Sequence, residues 1–151
     1  EWERAAAWST EGDAHFAYPW GEDRTPYDRE ERAFRANFKG RQDKFKHSAP
    51  VGSFPHGVSP VGAMDMAGNV IEMCQDWYDP SYYERFADRP ARDPKGPEEP
   101  FFAEETGKAG KVIRGGSFAL IALYLRTASR NFIPPDSTSS DFSFRCAAPL
   151  R

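Results

Sequence analysis

A chain of 151 residues fits one domain and can bury a substantial core, because folding at this size removes roughly two-thirds of the unfolded surface from water. Twenty Lys and Arg stand against 23 Asp and Glu with both signs interspersed, so the net charge of −3 does not indicate nucleic acid or an anionic membrane as a partner. No apolar stretch reaches membrane-spanning length and no signal peptide is recognisable, which leaves the compartment open.

The N-terminal half predicts one short helix followed by turns and irregular pieces. Residues 1–8 are good helix formers without a capping residue ahead of them, so we expect the N-terminal part of the fold to be missing. Residues 18–21 (YPWG) predict a turn with aromatic anchors, and short irregular segments follow. Within 62–78, a turn around Gly68-Asn69 leads into alternating residues that predict a strand.

The C-terminal half predicts a long excursion, one strand and then an aperiodic segment. Residues 79–110 are rich in Pro, Asp, Glu and Arg, which predicts surface loops. Residues 111–118 (KVIRGGSF) predict a strand that stops where paired glycines allow a turn or a close approach. From 119 to 141 apolar residues lack helical or strand periodicity and are interrupted by islands that look fixed. This pattern is typical of a variable surface on a fixed frame.

The two cysteines, Cys74 and Cys146, are too few for a disulfide framework and lack the spacing of a metal site. Each lies in an apolar, strand-like segment. We therefore expect a pair of buried thiols that pack as small hydrophobic side chains. A disulfide between them is the alternative.

Six segments carry a family resemblance: 1–6 (EWERAA), 18–21 (YPWG), 49–52 (APVG), 64–72 (MDMAGNVIE), 114–118 (RGGSF) and 144–147 (FRCA). They occur in the order seen in the formylglycine-generating-enzyme (sulfatase-modifying factor) family, and the chain resembles that family over nearly its whole length. The resemblance implies an α+β fold of the C-type-lectin type, loop-rich with small antiparallel sheets, in a single domain over residues 1–151. The family's usual N-terminal portion is not in this chain.

The chemistry of the enzymatic branches of that family requires side chains that this chain lacks. Members that oxidise cysteine to formylglycine resemble one another in a thiol pair after Gly-Gly-Ser, where copper binds, whereas residues 118–124 here contain no cysteine. Members that form sulfoxides resemble one another in a non-haem iron site, usually His-rich, on a separate helical domain. His15, His47 and His56 lie far apart in turn-like contexts, which favours solvated loop histidines. We therefore expect no catalytic residues.

Residues 115–145 resemble the variable region of proteins diversified by a retroelement, several of which use the same lectin-like fold and come from prokaryotes or phages. In those systems template adenines, often in AAC codons, are replaced at random, so Lys, Glu, Gln, Met and Trp cannot arise. The candidate variable sites, with Asn131 as an unmutated template residue, are Ala119, Leu120, Ile121, Leu123, Tyr124, Ser129, Asn131, Phe132, Ile133, Pro134, Ser137, Thr138, Ser139, Ser140 and Asp141.

None of these sites carries one of the five unreachable residue types. The five types make up roughly a fifth of average usage, so their absence from every site has a chance probability of about a few per cent. The resemblance implies binding of an unknown protein or cell-surface ligand rather than catalysis. Variable side chains cannot serve a core, so we expect them to be exposed on one face, with Tyr124 and Phe132 as the main anchors. The alternative is that the apolar sites form core.

The frame that holds this segment is expected to depend on arginines and aromatic residues. Arg114, Arg126, Arg130 and Arg145 are predicted to bond backbone carbonyls and nearby carboxylates, with anion binding as the alternative. The core is predicted to contain Trp20, Trp77 and Phe144.

The family resemblance also implies two structural calcium sites built from hard oxygen ligands in irregular loops. The first would use the side chains of Asn37 and Asp43 with the carbonyls of Phe38 and Phe45. The second would use the side chains of Asp65 and Glu72 with the carbonyls of Gly68 and Val70. The alternative is ordinary turn carboxylates and an Asx-turn at Asn37.

Two functional hypotheses therefore stand side by side. The first is a diversified ligand-binding protein with an exposed cluster of variable sites. The second is an enzyme of the formylglycine-generating family, or a degenerate relative, which predicts a cleft of titratable groups and burial of Leu120, Ile121 and Leu123. A purely structural module is the third alternative.

Overall fold

The computed structural model describes residues 1–9, 14–40, 43–88, 91, 94–104 and 107–148. Regular structure in these ranges is sparse. The elements are α1 (Trp2–Ala7), β1 (Trp8–Ser9), β2 (Ala14–His15), β3 (Tyr27–Asp28), β4 (Ala33–Phe34), β5 (Ile71–Trp77), β6 (Lys111–Arg114), β7 (Asn131–Ile133) and β8 (Phe142–Phe144), with 3₁₀ turns at Pro55–Gly57, Tyr82–Phe86 and Ala122–Leu125. None of the helices described is long and apolar enough to cross a membrane.

The main sheet has four strands in the order β7-β6-β5-β8. β6 pairs antiparallel with both β5 and β7, and β8 lies parallel to β5. Two further sheets are antiparallel pairs, β1-β2 and β3-β4. The loop-rich α+β architecture is confirmed, and the parallel β5-β8 pair is an addition to the predicted antiparallel sheets. In the described part of the predicted excursion at 79–110, only Asp79, Ala103 and Gly110 are buried, which agrees with surface loops. Residues 89–90, 92–93 and 105–106 of this prediction lie outside the described residues.

The core lies between loops rather than between helices. Its buried cluster consists of Tyr18, Ala36, Ala67 and Leu125, against which Trp20 packs. Leu125 comes from the middle of the aperiodic C-terminal segment and is completely buried. The core therefore anchors the segment that the sequence predicts to be variable.

Paired glycines make room for Leu125. Gly116 has a φ of +71°, and a Cβ at this position would lie 2.7 Å from Leu125 Cδ2 and 2.9 Å from the Tyr124 carbonyl oxygen. Only glycine adopts this backbone without strain and tolerates that approach. The glycine pair predicted to turn the chain after β6 thus lets the end of that strand pack closely against the following 3₁₀ turn.

All four arginines of the predicted frame donate to backbone carbonyls. Arg114 bonds Thr127 O at 2.7 Å and pairs with Glu3 of α1, which ties the N-terminal helix to β6. Arg145 bonds Met64 O at 2.9 Å and the Glu72 carboxylate at 2.7 Å. The remaining two bonds run from Arg126 to Leu123 O and from Arg130 to Asp79 O. The predicted structural use of these side chains is confirmed.

The predicted core aromatics need correction. Phe144, the last residue of β8, is 72% exposed and lies outside the core. Trp20 and Trp77 are only half-buried. Trp77 instead carries the Lys111 ammonium over its ring, 3.7 Å from the centroid.

The expected pair of free thiols is confirmed, whereas their full burial and the alternative disulfide are contradicted. Both thiols are free, with Cys74 half-buried in β5 and Cys146 exposed beyond β8. The register pairs Met73 with Phe144, which places Cys74 level with Arg145. Neighbouring residues of a strand point to opposite faces, so an extended chain would carry Cys146 away from Cys74. Burial raises the pKa of the Cys74 thiol to about 11.

Candidate binding surface

The candidate variable sites differ sharply in burial from the residues between them. None of the sites is buried, whereas Leu125 and Thr127, which interrupt them, are completely buried. Ser117, just ahead of the first site, is completely buried as well. The exposed sites are Ala119, Ile121, Leu123, Tyr124, Asn131, Thr138, Ser139 and Ser140. The half-buried sites are Leu120, Ser129, Phe132, Ile133, Pro134, Ser137 and Asp141.

The 3₁₀ turn at 122–125 explains why its apolar residues have no periodicity. Ile121, Leu123 and Tyr124 are 49%, 51% and 48% exposed, and we call these three residues the apolar turn. Tyr124 N donates to Ile121 O at 3.0 Å, and Leu125 then enters the core. One buried side chain thus holds a turn whose other side chains face solvent. The alternative that these three residues form core is wrong.

Loop residues from the first half of the chain support the start of this segment. Lys39 N donates to Leu120 O at 2.8 Å, and the His47 ring meets the Phe118 ring edge-on with centroids 5.7 Å apart. Leu120 N in turn donates to Ser117 O at 3.1 Å. These hydrogen bonds fix the backbone at Leu120, just before the apolar turn. The side chains of the apolar turn take no part in them.

The sites in β7 sit on a different support. Phe132 is half-buried and stacks on Tyr78, with ring centroids 4.9 Å apart. The Arg130 guanidinium lies 4.5 Å from the Tyr78 ring and 5.0 Å from the Tyr83 ring. Phe132, expected to be a ligand anchor, thus takes part in the packing of the main sheet. Tyr124 carries more of the exposed aromatic surface.

Asp79 fixes the excursion beneath Phe132. Burial would raise the pKa of Asp79, but hydrogen bonds from Ser81 and the charge of Arg85 outweigh it and hold that pKa below its usual value. Arg85 contacts the carboxylate at 2.7 Å, and Arg130 donates to the Asp79 carbonyl at 3.0 Å. A shallow cavity of about 570 Å³ lies nearby, lined in part by Trp77, Phe102, Pro134, Asp136 and Ser137.

Asp141 differs from the other candidate sites near it because its side chain bonds the buried residue Ser117. Its carboxylate accepts the Ser117 hydroxyl at 2.8 Å and also the Ser139 hydroxyl. Ser117 Oγ accepts the Ala119 amide at 3.2 Å, so this buried hydroxyl connects the first and last groups of candidate sites. β7 and β8 form opposite edges of the main sheet, roughly 14 Å apart at three strand spacings. The sites therefore fall into two groups, one around Ser117 and one at β7.

The first predicted calcium set fits a hard cation. Asn37 is completely buried, and its side-chain oxygen has no hydrogen-bond partner among the described residues. Its amide nitrogen donates to His47 O at 2.8 Å. Asp43 is also buried, and its carboxylate accepts the amides of Phe38 and Phe45 at 3.1 Å each. An unsatisfied amide oxygen close to a buried carboxylate is the kind of donor pair that calcium prefers.

The second predicted set does not fit a divalent cation. Glu72 accepts Trp2 Nε1 at 2.6 Å and faces the Arg145 guanidinium with both oxygens. Asp65 accepts the Gly52 amide at 2.7 Å. Gly68 and Val70, the predicted carbonyl ligands, lie on the turn that leads into β5. A guanidinium already neutralises the central carboxylate and occupies its lone pairs, so these contacts hold the fold together instead.

Among the residues that the structure describes, no group of three His, Cys, Asp or Glu side chains could hold a metal ion. The three histidines are exposed and separate. His15 approaches Glu3, and His47 packs against Phe118.

A family model described as the sulfatase-modifying factor enzyme 1-like domain matches residues 1–150. The chain belongs to this FGE-sulfatase family. It is 38% identical over 159 residues to the formylglycine-generating enzyme of Streptomyces coelicolor, which covers 97% of the chain and 44% of that relative. It is 33% identical over 141 residues to the hercynine oxygenase of Mycolicibacterium smegmatis, which covers 89% of the chain and 28% of that relative. The chain spans less than half the length of either enzyme.

A solved structure that is named as a variable protein, rather than as an enzyme, has a similar fold. Treponema denticola variable protein 1 superposes on the chain with a TM-score of 0.65 and 28% identity, over 95% of this chain and 43% of that protein. This likeness confirms the predicted lectin-like scaffold and the resemblance to a variable protein. The chain thus resembles enzymes in sequence and, in fold, a protein named for its variability.

Sequence reasoning did not find the supports of the surface. Ser117 follows the glycine pair, but nothing local indicates that it bonds Asp141, 24 residues away. The contact between Lys39 and Leu120 spans about half the chain. Such pairs come from tertiary folding, and a single sequence carries no periodic or motif signal for them.

Proposed function

We propose that the chain is a ligand-binding domain of the FGE-sulfatase family whose segment 115–145 is diversified by a retroelement. The observation that carries the proposal is the change from unburied candidate sites to completely buried Leu125 and Thr127 within one short, aperiodic segment. A diversified scaffold needs this arrangement, because residues that change must stay out of the core while fixed residues keep the backbone in place. The likeness to a variable protein supports the same interpretation.

Binding would rest mainly on the apolar turn. Ile121, Leu123 and Tyr124 expose apolar and aromatic surface on a backbone held by Leu125 and by the bond from Lys39 to Leu120. A rigid support lowers the entropy cost of ordering a binding loop, and a tyrosine supplies a large contact area with few rotatable bonds. The domain would act without catalysis, as a fixed frame with a replaceable surface.

The coding DNA gives the decisive test. We expect a near-copy of codons 111–151 beside the gene that differs only opposite adenines, together with a reverse transcriptase gene. Absence of both would make the composition of 119–141 a coincidence. The enzyme hypothesis would then be pursued with a formylglycine assay on a cysteine-containing sulfatase peptide.

A protein-level test separates variable positions from frame positions. Codons for the eight exposed candidate sites are randomised together, and thermal unfolding is measured on a sample of the variants. We expect most of them to fold with melting temperatures within a few degrees of the parent, since exposed substitutions usually change stability by less than about 0.5 kcal/mol. The matched control randomises Leu125 and Thr127, which should abolish folding in most clones. Equal tolerance in both libraries would contradict the proposal.

We also propose that the first predicted calcium set binds calcium as a structural ion. The Asn37 and Asp43 side chains, with the carbonyls of Phe38 and Phe45, would hold it. Calcium should raise the melting temperature and EDTA should reverse the rise, because an ion at 100 times its Kd stabilises the folded state by about 2.7 kcal/mol. Asp43→Asn should remove most of the calcium response. An unchanged melting temperature in calcium would refute the site.

A further inference from the structure

The balanced charge of the whole chain hides an uneven distribution. Residues 32–64 and 106–135 contain 11 of the 20 Lys and Arg but only one of the 23 Asp and Glu. The remainder of the chain is correspondingly acidic. The cationic part includes the apolar turn and the loop that supports it.

The single acidic residue in those two ranges does not offset the charge at the surface. It is Asp43, which is 5% exposed and whose carboxylate accepts the amides of Phe38 and Phe45. Asp141, the acidic candidate site connected to this segment through Ser117, is occupied by two serine hydroxyls. Among the described residues of these two ranges, every exposed charged side chain is therefore positive.

Three exposed lysines lie in the loop that contacts the residues just before the apolar turn. Lys39, Lys44 and Lys46 lie in the loop that contacts the variable segment at Leu120 and at Phe118, and we call them the cationic loop. No ion pair involves these lysines among the residues that the structure describes. Their charges face solvent rather than a partner within the chain.

Arg126 adds positive charge directly after the apolar turn. It is exposed and donates Nε to Leu123 O at 3.1 Å, which holds the guanidinium next to the apolar turn. Within 32–64 and 106–135, Arg35 and Arg114 are bound to carboxylates of the fold and do not contribute to this rim. An apolar centre is thus flanked by cations from two distant parts of the sequence.

We propose that the apolar turn and the cationic loop together bind a protein segment in which apolar side chains are flanked by Asp or Glu. This inference rests on the proposed function and specifies the chemistry of the partner. Apolar contacts at the centre supply affinity, and complementary charge at the rim accelerates association and selects the partner. The lysines lie outside segment 115–145, so this charge preference stays constant while the candidate sites change.

The aliphatic residues at the centre of this surface favour an acidic protein segment over a nucleic acid as the partner. Binding of single-stranded nucleic acid depends on aromatic platforms on which bases stack, whereas two of the three residues of the apolar turn are aliphatic. An anionic membrane is likewise a competing surface for an apolar, cationic patch. Both are included below as outcomes that count against the proposal.

The test uses a phage-displayed library of random peptides, panned against three forms of the chain. The forms are the parent, the triple variant Lys39→Glu, Lys44→Glu and Lys46→Glu, and the double variant Leu123→Ser and Tyr124→Ser. The parent should enrich peptides that combine apolar residues with net negative charge. The triple variant should lose them and enrich neutral or basic peptides. Synthetic copies of the enriched peptides should bind the parent about tenfold more weakly after the triple change, as expected for three rim charges.

The outcomes separate this inference from the proposed function. Enrichment of apolar peptides without a charge bias overturns the inference and leaves the binding surface standing. If the peptides bind the double variant as tightly as they bind the parent, the apolar turn is not the binding site. Failure to enrich any peptide overturns the inference that the partner presents a continuous segment. Tighter binding to a poly-dT oligonucleotide or to phosphatidylserine vesicles than to the peptides, abolished by the triple variant, also overturns it.

Discussion

The apolar turn at 121–124 and strand β7 at 131–133 both carry candidate variable sites, but they relate to the fold in different ways. The turn is held by one buried side chain, Leu125, and by backbone bonds. In β7 the site itself packs, because Phe132 stacks on Tyr78. Side chains of the turn can therefore change with little effect on the stability of the fold. A change of a side chain that packs in the edge strand also changes stability.

The largest loss of stability is expected when the anchor of the apolar turn, Leu125, is changed. Leu125→Ala should cost about 2–5 kcal/mol of the free energy of unfolding, because it opens a cavity in the core cluster. Leu123→Ala, two residues earlier and half-exposed, is the matched control and should cost less than about 0.5 kcal/mol. Urea denaturation measures both. Similar losses for the two leucines would mean that the turn has no single anchor.

A methyl group at Gly116 should act through the same contact. Gly116→Ala should lose more than about 1 kcal/mol, since alanine is strained at a φ of +71° and its Cβ would lie 2.7 Å from Leu125 Cδ2. Gly107→Ala is the control, because its φ is +62° but nothing lies within 4 Å of an added Cβ. Thermal unfolding of the two variants separates backbone strain from collision. A milder effect at Gly116 than at Gly107 would contradict the packing described for the turn.

Removing the ring in β7 should reveal the coupling of that site to the fold. Phe132→Ala should cost about 1–2 kcal/mol through lost stacking on Tyr78 and lost burial. Tyr124→Ala should change the free energy of unfolding by less than about 0.5 kcal/mol, because its ring is 48% exposed. Urea denaturation again supplies the measurement. Equal effects would place the two sites in one class.

Asp141 tests whether a candidate site can also support the frame. Asp141→Ala removes the acceptor of the buried Ser117 hydroxyl and should cost about 1–2 kcal/mol. Asp141→Asn keeps an oxygen acceptor and should recover most of that loss, while Ser140→Ala should be neutral. If Asp141→Ala leaves the melting temperature unchanged, the hydroxyl finds another partner and the site is free to vary.

The cysteines should differ in reactivity without affecting stability. Cys146 is exposed and should react with iodoacetamide at neutral pH. Cys74 is half-buried with a pKa of about 11, so only a small fraction is thiolate at pH 7 and its modification should be much slower. Mass spectrometry over a time course measures both rates. Faster labelling of Cys74 would contradict its position in β5.

The sequence supported predictions where local chemistry decides the outcome. The helix near residue 2, the strands around 71–77 and 111–114 and the turn at the glycine pair all follow from propensity and backbone freedom. The exposed apolar turn agrees with the absence of periodicity in 119–124. Phe144 was predicted wrongly because its apolar character indicates burial, while which side-chain face of a strand is covered depends on tertiary packing.

By itself the sequence determined the family, the lectin-like scaffold and the segment in which side chains stand apart from the core. Motif order and local residue type carry that information, since they act through short-range backbone preferences. The contact of Lys39 with Leu120, the bond between Ser117 and Asp141 and the packing of a lysine-containing loop against the start of the variable segment appear only in the tertiary structure. Those contacts depend on how distant loops pack against each other, which leaves no periodic trace in a single chain.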